Sequence, residues 1–276
     1  MQEVLFPQVR GCTFRLHCSP SHGLMLTKLS PRSPDRTEVL YPFVSRLEDA
    51  CRQKDTLWLL CSDPTETCLL LQHRSPSWNK RSLPYISSGR ARFCSPHHPA
   101  LLYEALQDGQ PFLFMQDFSL SEAPSKPLCP TVSRLPFAAA CENGRTVIFH
   151  FQQPRQLVAL WQETDQTFRT QPILETDPPD RLSCLLWQQW AYVLLENTHT
   201  SLLGILSSRT PDPPRLFPLE NATTPRLQLR SGQPFLCMHH SHGWQCHSLL
   251  NFPGPALSCP PPDDPQRPIL LPSNQL

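Results

Sequence analysis

The densest chemistry in the chain is the run CMHHSHGWQCH, Cys237 to His247, where two cysteines and four histidines fall within eleven residues. Thiolates and imidazoles at such spacing are the usual ligands of structural zinc, which takes four of them in tetrahedral geometry. Read as a hairpin turning at His242 and Gly243, the run puts Cys237 and His239 on one face, because residues alternate faces along a strand. The same hairpin sets His239 opposite Cys246. Cys237, His239 and Cys246 are therefore three candidate metal ligands. A fourth is wanting: Ser248 falls near Cys237 and is a poor zinc ligand, while His240 and His247 lie on the other face. Ser-His-Gly also occurs at residues 21–23, where turn chemistry explains it without a metal. The expectation is packed thiols and surface imidazoles, and no cofactor.

Other chemistry is thinner. No Gly-x-Ser-x-Gly elbow occurs, and nine glycines in 276 residues leave no Gly-rich phosphate loop. Twelve cysteines and eleven histidines guarantee chance Cys/His pairs, so none of them is informative from sequence alone. Asp63 and Glu66 in SDPTET come nearest to an acidic pair, but they sit where a solvated hairpin turn is expected. Trp58, Trp161, Trp187 and Trp190 fall inside apolar strands and are expected in the core. Trp78 differs, because it lies in the polar stretch SPSWNKR beside Lys80 and Arg81. With Arg90 and Arg92 these residues form the most basic region of the chain. Trp78, Lys80, Arg81, Arg90 and Arg92 are accordingly the candidate partner-binding residues.

The elements that must position these residues can be read from composition. Charge is nearly balanced, at +1, so there is no electrostatic footprint for nucleic acid or for an anionic membrane. Thirty-three prolines interrupt nearly every window long enough for a helix, whereas edge strands and turns tolerate them. The start MQEVLFPQVRGC lacks the basic-then-apolar pattern of a signal peptide, and no apolar run approaches the roughly 20 residues that span a bilayer. The cysteine spacings are irregular. Free thiols in a reducing cytoplasmic or nuclear compartment are expected, rather than secretion, and the sequon at Asn221 stays unused.

A repeat organises the rest. LQDGQPFLFM from Leu106 and LRSGQPFLCM from Leu229 agree at seven of ten positions and resemble one structural unit used twice. Weaker copies of the same grammar, a turn residue followed by an apolar strand, place anchors at Gly11, Asp55, Gly109, Gly144, Gln188 and Gly232. The steps are 44, 54, 35, 44 and 44, uneven only in the middle. Around Gly109 no clear third strand is visible, and residues 116–128 read as a long loop. A period near 44 with four short strands in each fits one blade of a β-propeller, and six anchors predict six blades. The Gly-His and Trp-Asp pairs of WD40 repeats are missing, so the resemblance is to propeller repeats in general; a β-sandwich is the alternative. Residues 1–254 are expected to form the single propeller domain. Residues 255–276 form a proline-rich tail in which PALSC or PILLP supplies a closing strand, or a linear docking segment.

Such a chain is expected to be a non-enzymatic protein–protein interaction scaffold or adaptor, a subunit of an intracellular multiprotein complex. Its partners would be other proteins, with no membrane and no small-molecule substrate. The alternative is a propeller enzyme or carbohydrate-binding lectin acting at a central channel. That alternative requires polar residues recurring at equivalent positions of several blades, and no acidic or arginine position recurs in this way. An irregular β fold of a viral or regulatory protein is a third reading.

Overall fold

The computed structural model describes residues 3–7, 13–19, 21–30, 33–53, 56–74, 77–87, 89–95, 98–118, 124–163, 167–198, 200–210, 212–219, 223–230, 232–240, 243–254, 257–258 and 269–270. Strands follow one another along the chain as antiparallel sheets. The first sheet holds β1 (Glu3–Pro7), β2 (Thr13–Ser19), β3 (Gly23–Ser30) and β4 (Ser33–Tyr41). The second holds β5 (Arg46–Gln53), β6 (Thr56–Ser62), β7 (Thr67–Arg74) and β8 (Ser77–Ser87). The third holds β9 (Ala91–Ser95), β10 (His98–Gln107), β11 (Gln110–Asp117) and β12 (Lys126–Pro130). The fourth holds β13 (Ala138–Glu142), β14 (Arg145–Gln153), β15 (Gln156–Gln162) and β16 (Phe168–Glu175). The fifth holds β17 (Arg181–Trp187), β18 (Trp190–Glu196), β19 (Ser201–Ser207) and β20 (Arg215–Leu219). The sixth holds β21 (Thr223–Arg230), β22 (Gln233–His240), β23 (Gly243–Ser248) and β24 (Leu257–Ser258). Finally β25 (Ile269–Leu270) adds a fifth strand to the first sheet, parallel to β1. Leu257–Ser258 of PALSC and Ile269–Leu270 of PILLP thus each pair as a strand.

The chain divides into two compact units. One comprises Met1–Gly109, Leu113–Pro127 and Asp263–Leu276; the other comprises Gln110–Phe112 and Leu128–Pro262. In each unit the sheets stack face to face, which explains why the middle strands read as unbroken apolar runs. In the first unit, Leu57, Leu59 and Cys61 of β6 pack with Leu16 and Leu24 of the first sheet. Trp58 and Leu60, on the opposite face of the same strand, pack with Phe93, Leu101 and Tyr103 of the third. In the second unit, Ala191, Val193 and Leu195 of β18 meet Val147, Phe149 and Phe151 of β14. Tyr192 and Leu194 turn instead to Leu236 and Met238 of β22. A strand covered on both faces has no polar side to alternate with. Packing within a sheet is close as well: a Cβ on Gly204 of β19 would lie 2.8 Å from Cγ1 of Val193, its cross-strand partner.

The uneven middle of the repeat has a structural cause. Gly109 turns β10 into β11, the second and third strands of their sheet, whereas Gly232 precedes β22, the second strand of its own. The two Gly-Gln-Pro-Phe-Leu copies thus share a turn and a strand entry, not a position in the repeat. The motif encodes local geometry, with φ of 80° at Gly109 and 73° at Gly232, and any tight hairpin can use it. Second strands begin at Thr13, Thr56, His98, Arg145, Trp190 and Gln233, so the true steps run from 42 to 47 residues. The third strand expected to be missing near Gly109 is β11 itself. The expected loop is shorter than 116–128, since β11 continues to Asp117 and β12 starts at Lys126. The anchors Gly11 and Asp55, and the sequon at Asn221, lie outside the described residues.

Candidate functional site

Neighbouring sheets are joined by hydrogen bonds that recur at the repeat distance. In the first unit Asp49 of β5 accepts from the Phe93 backbone N–H on β9 and from that of Ala50, each at 2.8 Å. Burial raises the Asp49 pKa, and the two N–H bonds and nearby Arg92 offset this only in part. Glu48 accepts from the Gly89 N–H at 2.8 and 2.9 Å. In the second unit Glu142 accepts from the Gln188 N–H, and the Trp187 indole donates to the Gly232 carbonyl at 2.8 Å. Residues 41 to 46 apart meet because they hold matching places in adjacent sheets.

One of these junctions opens into a cleft. Glu142, Asn143, Arg145, Gln188, Gln189 and Arg209 line a volume of about 620 Å³ in the second unit. A further volume of about 420 Å³ shares Asn143, Arg145, Gln188 and Arg209 with it and continues past Glu163, Arg169 and Ser208. The cleft is built by tight turns. Asn143 and Gly144 take φ of 52° and 75°, the left-handed pair that joins β13 to β14, and Gln188 takes 55° between β17 and β18. The loop after β19 is pinned beside them. The Ser208 N–H donates to the Gln189 carbonyl at 2.8 Å, and the Ser208 carbonyl accepts from Arg169 at 3.1 Å. Arg169 also pairs with Glu163 at 2.9 Å. The Arg145 and Arg209 guanidinium groups make no hydrogen bond or ion pair among the described residues, and both residues are exposed. Among the described lining residues the one aromatic ring, Trp161, is 4% exposed, and its indole N–H donates to Gln171 at 2.8 Å.

Buried junctions elsewhere hold thiols. In the second unit Cys129 Sγ lies 3.4 Å from His150 Nε2. Burial pushes the Cys129 thiol up to about 12 and pulls His150 down to about 4, so both are neutral at pH 7. Burial likewise raises Cys18 to about 11 and Cys68 to about 12.

No protein-family model and no curated protein matches the chain. Solved structures do. The Dos1 propeller aligns with a TM-score of 0.58 at 10% identity, over 90% of this chain and 66% of that one. A fungal lectin, that of Aleuria aurantia, described as a six-bladed β-propeller, gives 0.55 at 8% identity over 88% and 89%. The fold is a six-bladed β-propeller. A prolyl endopeptidase also aligns at 0.58 and 11% identity, covering 94% of this chain but only 43% of its own. This chain thus spans under two thirds of the Dos1 chain and under half of the endopeptidase, and at these identities the likeness is one of fold alone.

On this propeller the residues singled out from sequence do not form one site. Trp78 is not on a polar loop. It lies on β8, the outermost strand of its blade, partly buried against the core between the first and second blades. Lys80 sits over the Tyr41 ring at 5.0 Å, while its neighbour Arg81, pointing to the other face, sits over Phe118 at 5.3 Å. Arg90 pairs with Glu104 at 2.7 Å, and Arg92 projects from β9, exposed. Strand alternation splits a stretch that is contiguous in sequence.

The cysteine–histidine hairpin forms as expected between β22 and β23, with a different register. Cys237 faces Cys246, their sulfurs 2.6 Å apart, and His239 faces Trp244, with ring centroids at 5.2 Å. The expected His239–Cys246 pairing is off by two residues, because the ladder closes at the His240–Gly243 pair, one position nearer the N-terminus than a turn centred on His242 and Gly243 would place it. Ser241 and His242 lie outside the described residues. Cys246 is disulfide-bonded rather than a free thiol. Cys18, Cys51, Cys61, Cys68, Cys94, Cys129, Cys141, Cys184 and Cys237 are not in disulfides. Among the described residues no group of three His, Cys, Asp or Glu side chains is placed to hold a metal ion. No described helix is long and apolar enough to cross a membrane. Asp63 forms the expected turn, accepting from the Thr65 and Thr67 N–H groups at 2.9 Å, and the Thr65 hydroxyl bond above all holds its carboxyl below the usual range.

Sequence reading missed Arg145 and Arg209. Each is an isolated arginine after a turn or a strand end, and only the stacking of the fourth and fifth blades brings them to one cleft.

Proposed function

We propose that this propeller is a non-enzymatic interaction scaffold, an adaptor subunit of an intracellular multiprotein complex. The observation that carries the reading is the engagement of its reactive groups in the architecture. Asp49, Glu48 and Glu142 bind backbone N–H groups of the next blade. Glu104 and Glu196 pair with Arg90 and Arg226. General acid–base work needs a carboxyl or imidazole that titrates near neutrality and faces a substrate. Here burial pulls His150 to about 4 and lifts Cys129 to about 12, away from the values that activate a Cys–His pair. What remains free is surface. The arginines of the cleft between the fourth and fifth blades are open to a partner.

The test is purification of the tagged full chain from its native cells, with mass spectrometry of what accompanies it. A stoichiometric set of proteins that survives moderate salt supports the scaffold. A clean monomer with no partner sinks it. Binding on a glycan array, in place of protein partners, turns the reading to the lectin alternative.

A further inference from the structure

We infer that the cleft between the fourth and fifth blades is a docking site for an acidic peptide segment, whose carboxylates pair with Arg145 and Arg209. The inference rests on the scaffold reading and names the chemistry of its partner.

Charge is the first argument. The whole chain carries only +1, yet five of the described residues lining the cleft are charged, and the two carboxylates among them are already engaged. Glu142 is held by the Gln188 N–H, and Glu163 is held by Arg169. Among the described lining residues three arginines face two carboxylates, an excess of one positive charge, and the Arg145 and Arg209 guanidinium groups are in none of the hydrogen bonds or ion pairs. A planar guanidinium takes a carboxylate through two parallel N–H···O bonds, which gives direction as well as charge.

The rest of the lining selects among anions. Asn143, Gln188 and Gln189 carry amide side chains, which both donate and accept, as a peptide backbone requires. A cleft of about 620 Å³ is far larger than one carboxylate or phosphate needs, so the anion would arrive on a longer chain. A nucleobase or sugar ring asks for an open aromatic face, and Trp161 offers none, being 4% exposed with its N–H bound to Gln171. The walls are preorganised. Three bonds fix the loop that carries Arg209: Ser208 N–H to Gln189, Ser208 carbonyl to Arg169, and Arg209 N–H to the Ser207 hydroxyl at 3.2 Å. Arg145 is the first residue of β14, directly after its tight turn. Little backbone ordering is left to oppose binding.

The experiment pans a phage library of random dodecapeptides on the full chain and measures the enriched peptides by fluorescence anisotropy. The same assay is run on Arg145→Glu/Arg209→Glu and on Arg145→Lys/Arg209→Lys. Enriched peptides should carry Asp or Glu. Their affinity should fall by roughly tenfold or more in the reversed variant, through like-charge contact. The lysine variant should retain part of the affinity, since it keeps charge and loses the fork. Exchanging Asp and Glu for Lys in the peptide should restore binding to the reversed variant. Both side chains are exposed and have no hydrogen-bond or ion-pair partner among the described residues, so circular dichroism should find the variants folded. Peptides without acidic bias, no enriched peptides at all, or affinity indifferent to charge reversal would each overturn the inference. So would binding of a heparin octasaccharide in place of acidic peptides. A reversed variant that purifies with the wild-type partner set overturns this site and leaves the scaffold standing. A wild-type chain that purifies alone removes the scaffold itself.

Discussion

The non-enzymatic reading is most exposed at Cys129 and His150, the cysteine and histidine that the second unit brings within 3.4 Å. A catalytic pair of this kind works as thiolate and imidazolium, with the thiol pKa well below its ordinary value of about 8.5. Here the thiol stands at about 12 and the imidazole at about 4. Raising the thiol to about 12 cuts the thiolate fraction at neutral pH by about a thousandfold. The thiolate that does form is more nucleophilic, by about 0.4–0.5 log unit per pKa unit, which returns about one and a half of those powers of ten. Cys129 in the native protein should therefore react with iodoacetamide at pH 7.5 on the order of a hundredfold more slowly than an unperturbed thiol. Its rate should still be rising at pH 10. The assay is timed alkylation with mass-spectrometric site mapping, repeated on His150→Gln, where the Cys129 rate should not fall. A rate profile with its midpoint below pH 8 that collapses in His150→Gln would refute the reasoning and reopen the enzyme alternative.

Three further expectations concern the packing within a blade, a blade junction and the cysteine–histidine hairpin. Gly204→Ala puts a methyl 2.8 Å from Val193 Cγ1 and should lower stability by about 1–3 kcal/mol in urea unfolding; adding Val193→Ala removes that atom, so the double variant should lose less than the sum of the singles, and strict additivity counts against the packing described. Asp49, whose folded pKa is raised by burial, stabilises the fold most below the ordinary carboxyl value near 3.9 and loses that contribution as pH rises through the folded value. The urea midpoint of wild type relative to Asp49→Asn should thus climb as pH falls through that window; a flat or opposite trend contradicts it. At the hairpin, with Cys246 already in a disulfide and His239 against Trp244, the chain purified without reductant should carry no stoichiometric zinc, and elemental analysis showing one zinc per chain would restore Cys237, His239 and Cys246 as ligands.

How far the sequence reached can be traced through individual residues. Proline excluded long helices, apolar runs such as WLLC and AYVLL marked the middle strands, and a period near 44 implied six blades, because turn chemistry and strand alternation are local properties. The same locality misled at Gly109, where one turn sequence serves a different hairpin from its copy at Gly232. Local reading also grouped Trp78, Lys80 and Arg81 into one patch that β8 divides between two faces. A ladder that closes at the His240–Gly243 pair set Cys237, not His239, opposite Cys246.

The sequence by itself therefore determined the repeat, the strand content and the number of sheets. Each of these follows from residues a few positions apart. Only the tertiary structure decided which side chains share a surface. Arg145 and Arg209 belong to different blades, and no spacing rule connects them. They meet in one cleft because stacked sheets align their turns, while Glu142 and Glu163 of the same lining are held by Gln188 and Arg169.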